Sequence, residues 1–260
     1  MLGALKRSIR LRRFLGALPV VGSRYRNWRY RIHPFDREFR TDTSGFLAVD
    51  DLAPASLKFP YAGSQPSIVR RILETIPEPK TYEFVDLGCG KGRPSLIASE
   101  FPFRALRGIE LAPSLVGIAK RNAQVWAQRF PSRQPIEFTH GDALCFEPVG
   151  RTVVFNYNGF PQELFSQIVA NFERRIETGL AELFVVYYNP VAADVLDRSP
   201  HFARWSAECY PYAAEEIGFG SDTTDSVVVW QSLPARHPAL RGSERAVRIV
   251  TPDWRAEVAP

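Results

Sequence analysis

The sequence predicts an α/β protein with a seven-stranded, mostly parallel sheet, helices on both faces and an antiparallel last strand. Three observations carry this. From residue 82 onward, short runs rich in β-branched and aromatic residues alternate with segments of helical period. Such alternation buries a parallel sheet between two helical layers. The last two strand candidates are joined only by AAEEIGFGSDTTD (213–225), which has no helical period, so the chain turns back tightly and the last strand runs antiparallel. A glycine-rich turn, GCGKG (88–92), sits where the first of these strands becomes a helix.

The elements follow in order. Residues 35–66 read as irregular, punctuated by Gly45, Pro54, Pro60 and Gly63. Pro66 opens a helix at its first position, with Ser64 or Gln65 as cap, and Ile68, Val69, Ile72, Leu73 and Ile76 form its apolar face. Pro77 and Pro79 end it. Strand 82–87 leads through the glycine turn to a helix over 94–100. Strand 105–111 leads to a helix over 113–129, with Leu115, Ile118, Ala119, Asn122, Val125 and Trp126 on one stripe. Strand 135–141 follows. Strand 152–156 leads to a helix over 161–177 with Leu164, Phe165, Ile168, Phe172 and Ile176 facing inward. Strand 181–188 precedes a short helix at 192–198, and the last strands fall at 203–210 and 226–231. The tail from Leu233 holds four prolines and little periodicity apart from RAVRIV (245–250).

Composition narrows the class. With 45% hydrophobic and 12% aromatic residues in 260, the chain can bury a sizeable core. No apolar run approaches the ~18 residues of a membrane span. Cys89, Cys145 and Cys209 are scattered, which argues against a disulfide framework or a zinc site and for a reducing, cytoplasmic setting. No metal site is expected.

Charge is uneven. Residues 1–40 hold one Lys and ten Arg against Asp36 and Glu38, a net +9, so with +5 overall the remainder carries −4. This basic arm has four readings. On a helix, Leu2, Leu5 and Ile9 share a face while Leu11, Phe14, Leu15 and Leu18 point the other way, so no single stripe favours a membrane surface. A targeting peptide is a second reading. Arg24, Arg26, Arg29 and Arg31 interleaved with Tyr25, Trp28 and Tyr30 suit a nucleic acid or an acidic partner. A solvated arm is the fourth.

The chemistry centres on VDLGCGKGR (85–93). Gly88, Gly90 and Gly92 give G-x-G-x-G, whereas a dinucleotide fingerprint needs glycine at Arg93. Asp86 lies just before the loop, where it repels a pyrophosphate and suits an ammonium group. Glu110 ends the second strand, where a carboxylate can accept both ribose hydroxyls. Asp142 follows the third and can meet an adenine amino group. Three such features at the ends of consecutive strands mark one ligand site.

FVDLGCGKGR, GIELAPSLVGIAKRN and FTHGDAL resemble the successive cofactor motifs of class I S-adenosylmethionine-dependent methyltransferases, over about residues 64–231. The resemblance implies a Rossmann-like fold with strand order 3-2-1-4-5-7-6 and S-adenosyl-L-methionine as cofactor. With the charge pattern and the proline-rich tail, this divides the chain into a basic arm at 1–40, a methyltransferase domain at 41–232 with cofactor motifs at 82–143, and an irregular tail at 233–260. By the resemblance, Asp86, Gly88, Cys89, Gly90 and Gly92 hold the methionine part. Glu110 and Leu111 hold the ribose, and Asp142 and Ala143 the adenine; Asn156 borders the cofactor. Within the superfamily the chain is similar to non-SET protein-lysine methyltransferases and an uncharacterised bacterial branch. FDREFRTDTSGF (35–46) and YAGSQPS (61–67) resemble that branch's segment crossing the cofactor. The branch has a YNPF-like signature where this chain has Tyr157-Asn158-Gly159-Phe160.

TVVFNYNGFP (152–161) bears on catalysis, because in the family fold its strand flanks the glycine loop. Asn156 and Asn158 offer carbonyl acceptors that can orient an amine or hydroxyl nucleophile. Tyr61 is a third catalytic candidate, and Tyr157, Phe160 and Tyr188 are candidate walls. Asn158-Gly159 also reads as a plain turn into Pro161. His140 is a weaker candidate base. The expected function is methyl transfer to a nitrogen or oxygen nucleophile on a protein lysine, a nucleic acid or a small molecule. The alternatives are an NAD-type oxidoreductase and a non-catalytic cofactor-binding protein.

Overall fold

The computed structural model describes residues 31–47, 60–233, 245–251 and 255–259. Most of the basic arm, residues 1–30, lies outside them, as do residues 48–59 and most of the proline-rich tail. Helix α1 (Pro34–Phe39) and strands β1 (Phe46–Leu47) and β2 (Tyr61–Ala62) precede helix α2 (Pro66–Leu73). The expected sheet is built from β3 (Glu83–Leu87), β4 (Ala105–Glu110), β5 (Ile136–His140), β6 (Arg151–Tyr157), β7 (Glu182–Tyr188), β8 (Phe202–Pro211) and β9 (Thr224–Ser232). Between them run α3 (Arg93–Ala98), α4 (Pro113–Arg129), α5 (Gln162–Glu177) and α6 (Ala193–Asp197).

The spatial order is β5-β4-β3-β6-β7-β9-β8. Neighbours from β5 to β7 pair parallel, and β9 is antiparallel to both β7 and β8. This is the Rossmann-like seven-stranded arrangement, with the reversal where the helix-free return predicts it.

Alternating residues divide the core between the faces. Phe84, Phe155, Phe184 and Val186 pack under α2 and α3 with Trp126 of α4. Val85, Val154, Val185 and Trp230 pack against Phe165, Ile168, Val169 and Phe172 of α5. Every residue of β3 and β7 is buried, as expected of strands covered on both sides. At the edge, β5 buries only Phe138.

Several boundaries differ from the sequence expectation. Residues 31–40 are folded onto the domain: α1 buries Phe35 and Asp36, and Phe35 and Phe39 pack on Trp126. The pattern hides this because the segment is too short to show a period. The tail is not wholly irregular. β10 (Val247–Thr251) and β11 (Arg255–Val258) pair antiparallel and bury Ala256 and Val258. Asn189 Oδ1 accepts from the Ala256 amide, and Ser226 Oγ accepts from the Val258 amide. Gln65 occupies the α2 cap position without a side-chain cap bond.

Candidate active site

A cavity of about 390 Å3 opens at the carboxyl ends of β3, β4 and β6. Helices leave β3 and β6 toward opposite faces there, and ligands bind open α/β sheets at such a crevice. Its floor is the glycine loop. Gly88, Gly90 and Gly92 all have positive φ (71°, 55° and 85°). The loop hangs on β4, whose Ile109 carbonyl accepts from the Gly88 and Cys89 amides at 2.9 and 3.1 Å. At Gly90 the Tyr61 ring lies so close that an added Cβ would come within 2.4 Å of it. At Gly92 the obstacle is Phe138, at 2.5 Å. Glycine is therefore required twice, by backbone angle and by close approach.

Two buried carboxylates face this floor. Asp86 is 2% exposed and accepts from Ser95 Oγ at 3.2 Å. Burial, offset in part by Ser95 and reinforced by the Glu110 charge, pushes its pKa up to about 8. Glu110 accepts from the Gly90 amide at 2.9 Å and the Ala112 amide at 2.8 Å. Burial raises its pKa too, although these amide bonds oppose the shift. Among the described residues, neither acid forms an ion pair. Asp142 differs: it is exposed and caps a short turn by accepting from the Leu144 amide at 2.9 Å. The Cys89 thiol also lines the cavity, and burial raises its pKa well above the ordinary value, so it is a space-filling group and not a nucleophile.

The roof comes from upstream. Arg93, 2% exposed, donates from Nε to Thr43 Oγ1 (2.7 Å) and from its terminal nitrogens to the Ser64 and Thr43 carbonyls (2.7 and 2.8 Å). Asp36 lies 3.8 Å from Arg93 and accepts from the Thr41, Thr43 and Ser44 hydroxyls and the Thr43 amide. Tyr61 donates its hydroxyl to the Thr43 carbonyl at 2.7 Å, and burial raises its pKa. Lys91 holds Asp42 and the Ser44 carbonyl, both at 2.8 Å. Residues 41–47 and 60–65 thus lie across the glycine loop. The sequence assigns Asp36, Thr43 and Arg93 no individual role, because their partners lie up to 57 positions away.

The stretch 152–161 is resolved into parts. Asn158 (φ 38°) lines the cavity and accepts from the Tyr187 hydroxyl at 3.1 Å. Asn156 does not line it. Its Oδ1 accepts from the Gly159 amide at 2.9 Å, and its buried Nδ2 has no hydrogen-bond partner among the described residues. The departure at Gly159 now has a consequence: a proline there has no amide hydrogen for that bond. Phe160 packs over Gly88.

Of the expected site residues, the cavity wall brings together Tyr61, Asp86, Gly88, Cys89, Gly90, Glu110, Leu111, Asp142, Ala143 and Asn158. Gly92 and Asn156 stand behind it: Gly92 is the left-handed residue that starts α3 over Phe138, and Asn156 braces the turn. Tyr157 and Phe160 are walls. Tyr188 is not; its hydroxyl donates to the buried Asp225 at 2.7 Å. His140 is exposed, its Nε2 3.1 Å from the Leu111 carbonyl oxygen, outside the cavity wall. The wall also includes Glu163, Gln167 and Asn189. Glu163 and Gln167 share an outward helix face that periodicity reads as solvent.

Fold and site together define a Rossmann-like domain with an acid-lined pocket at the carboxyl ends of its central strands. No protein-family profile matches the sequence, and no curated protein matches it. The structure is similar to that of TrmN from Thermus thermophilus, at 18% identity and a TM-score of 0.43, over 65% of this chain and 48% of that one. It spans about half the length of that protein. An RNA methyltransferase from Salinibacter ruber in complex with S-adenosyl-L-homocysteine matches at 20% identity and a TM-score of 0.45, over 68% of this chain and 97% of that one. Magnesium protoporphyrin IX methyltransferase from Synechocystis PCC 6803 matches at 13% and 0.45, over 64% and 76%.

Proposed function

We propose that the protein is an S-adenosyl-L-methionine-dependent methyltransferase acting on a nitrogen or oxygen nucleophile. The observation that carries the reading is the pair of buried carboxylates, Asp86 and Glu110, which form no ion pair among the described residues and lie beside a positive-φ glycine loop. Such a pair suits a ligand with a cationic end and vicinal hydroxyls. Asp86 with the loop from Gly88 to Gly90 would hold the amino-acid end, Glu110 the ribose, and Asp142 with Ala143 the base. A pyrophosphate would meet Asp86 at close range, which weighs against the NAD reading. Arg93, where the dinucleotide pattern needs glycine, donates three hydrogen bonds to residues 43 and 64.

When bound, the cofactor supplies an electrophilic methyl group on a positively charged sulfur. The protein's part is to align the acceptor and exclude water, with reacting atoms held ~3–3.5 Å apart. Asn158 lies at the wall to orient an attacking lone pair, and Asn156 acts behind it through the Gly159 amide. Tyr61, Tyr157 and Phe160 supply aromatic faces that suit a cationic group. Among the described residues the cavity is lined by Asp86, Glu110, Asp142 and Glu163 against one arginine, the hydrogen-bonded Arg93, so a cationic or neutral acceptor is favoured over a phosphate. No metal is required, and no cluster of three or more His, Cys, Asp or Glu among the described residues could hold one.

Calorimetry with S-adenosylmethionine, S-adenosylhomocysteine and NAD tests the reading. Binding of the sulfur ligands and not NAD is expected; binding of neither sulfur ligand would sink it. Labelled methyl transfer into fractionated lysate, followed by protease or nuclease digestion, identifies the acceptor class. The basic arm is proposed to meet a nucleic acid or an acidic partner, and that binding should fall steeply with salt. No helix among the described residues is long and apolar enough to cross a membrane. A cytoplasmic setting is part of the proposal, supported by three unpaired cysteines.

A further inference from the structure

The Asp36–Arg93 cluster does no chemistry, yet it is sealed from solvent beside the cavity. Both side chains are buried, at 1% and 2% exposure. Arg93 is the first residue of the helix that leaves the glycine loop, and among the described residues its three hydrogen bonds all go to residues 43 and 64. Asp36 lies outside the cavity wall and gathers residues 41, 43 and 44 from the far side. Thr43 stands between them: its hydroxyl donates to Asp36 and accepts from Arg93, and its carbonyl accepts from Arg93 and from Tyr61. That last bond fixes the Tyr61 ring against Gly90.

We infer that the Asp36–Thr43–Arg93 cluster is a positioning element that holds Tyr61 over Gly90 and so shapes the amino-acid end of the cofactor pocket. The inference rests on the cofactor reading above. It is selective by geometry. The cluster governs the roof over the glycine loop and Asp86. Glu110, Asp142 and Ala143, which would hold the nucleoside, stand on β4 and in the loop after β5 and receive no bond from it.

The test compares two ligands in calorimetry: S-adenosylhomocysteine, and methylthioadenosine, which lacks the amino-acid end. Asp36→Asn keeps the size of a residue that touches neither ligand. It should weaken S-adenosylhomocysteine at least tenfold and change methylthioadenosine less than threefold. Arg93→Lys, which keeps the charge but not the fork of donors, should give the same split. Thr43→Val should give a smaller split in the same direction, and it decides by the same criterion if Asp36→Asn fails to fold. Equal loss for both ligands, or no loss for either, overturns the inference while leaving the cofactor reading intact. Failure of the wild-type protein to bind S-adenosylhomocysteine overturns both.

Discussion

Two buried acids flank the glycine loop and behave in opposite ways. Asp36 is met by Arg93 and by the hydroxyls of Thr41, Thr43 and Ser44; burial alone would raise its pKa, but these partners outweigh it and hold it below the ordinary value. Asp86 has one weak hydroxyl partner and a neighbouring carboxylate, and its pKa rises to about 8. Both are equally hidden from water. A buried charge whose partners are all present is part of the framework. A buried charge left without a partner costs stability and is retained where something else completes it.

The largest effect expected from this contrast is at Asp86. Asp86→Asn should reduce S-adenosylhomocysteine affinity by 100-fold or more by calorimetry, on the order of 3 kcal/mol. The same change should stabilise the ligand-free protein at high pH. A raised carboxylate pKa means that the folded state holds the proton more tightly than the unfolded chain, so stability falls as pH climbs from about 4 to about 8. Thermal melting at pH 8.5 should therefore favour the variant, and melting near pH 4 should not separate the two. A variant that melts earlier at pH 8.5 would break the contrast.

Asp36 should respond in the other direction. Asp36→Ala strands the Arg93 charge and should cost about 3–5 kcal/mol in urea unfolding at pH 7. Because the folded pKa is depressed, the stability that Asp36 provides is present above the ordinary aspartate pKa and is lost as pH falls through the folded value. A third measurement concerns the wild-type protein. If ionised Asp86 is what receives the cationic end, S-adenosylhomocysteine affinity should rise by up to about tenfold per unit between pH 6 and 8. Calorimetry in two buffers should show proton release, and a flat profile would shift that role away from Asp86. The smallest effect is at Asn156. Asn156→Ala removes its bond to the Gly159 amide and should cost about 1 kcal/mol of stability. It should lower kcat more than it changes cofactor affinity, since it braces the Asn158 turn from behind the wall.

Legibility in the sequence followed the range of the interactions. The α2 face of Ile68, Val69, Ile72 and Leu73 was readable because periodicity is local, and all four are buried. That Asp86, Glu110 and Asp142 share one cavity wall was readable because each lies at or just beyond the carboxyl end of a parallel strand. Asn156 was misplaced because its spacing from Asn158 puts both near the edge without saying which faces the cavity. Tyr188 read as a wall, yet its hydroxyl is taken up by Asp225, 37 positions later. Glu163 and Gln167 looked like solvent-facing helix positions, and only the mouth of the cavity gives them a part.

The sequence by itself determined the strand–helix alternation, the reversal of β9, the glycine loop and the acidic character of the site. Each of these rests on neighbours within about one turn or one strand. The tertiary structure alone decided that Asp36 and Arg93 complete each other and that the Tyr61 ring packs against Gly90. Those depend on contacts between residues 29 to 57 positions apart. Spacing along a chain does not specify such contacts until the core has packed.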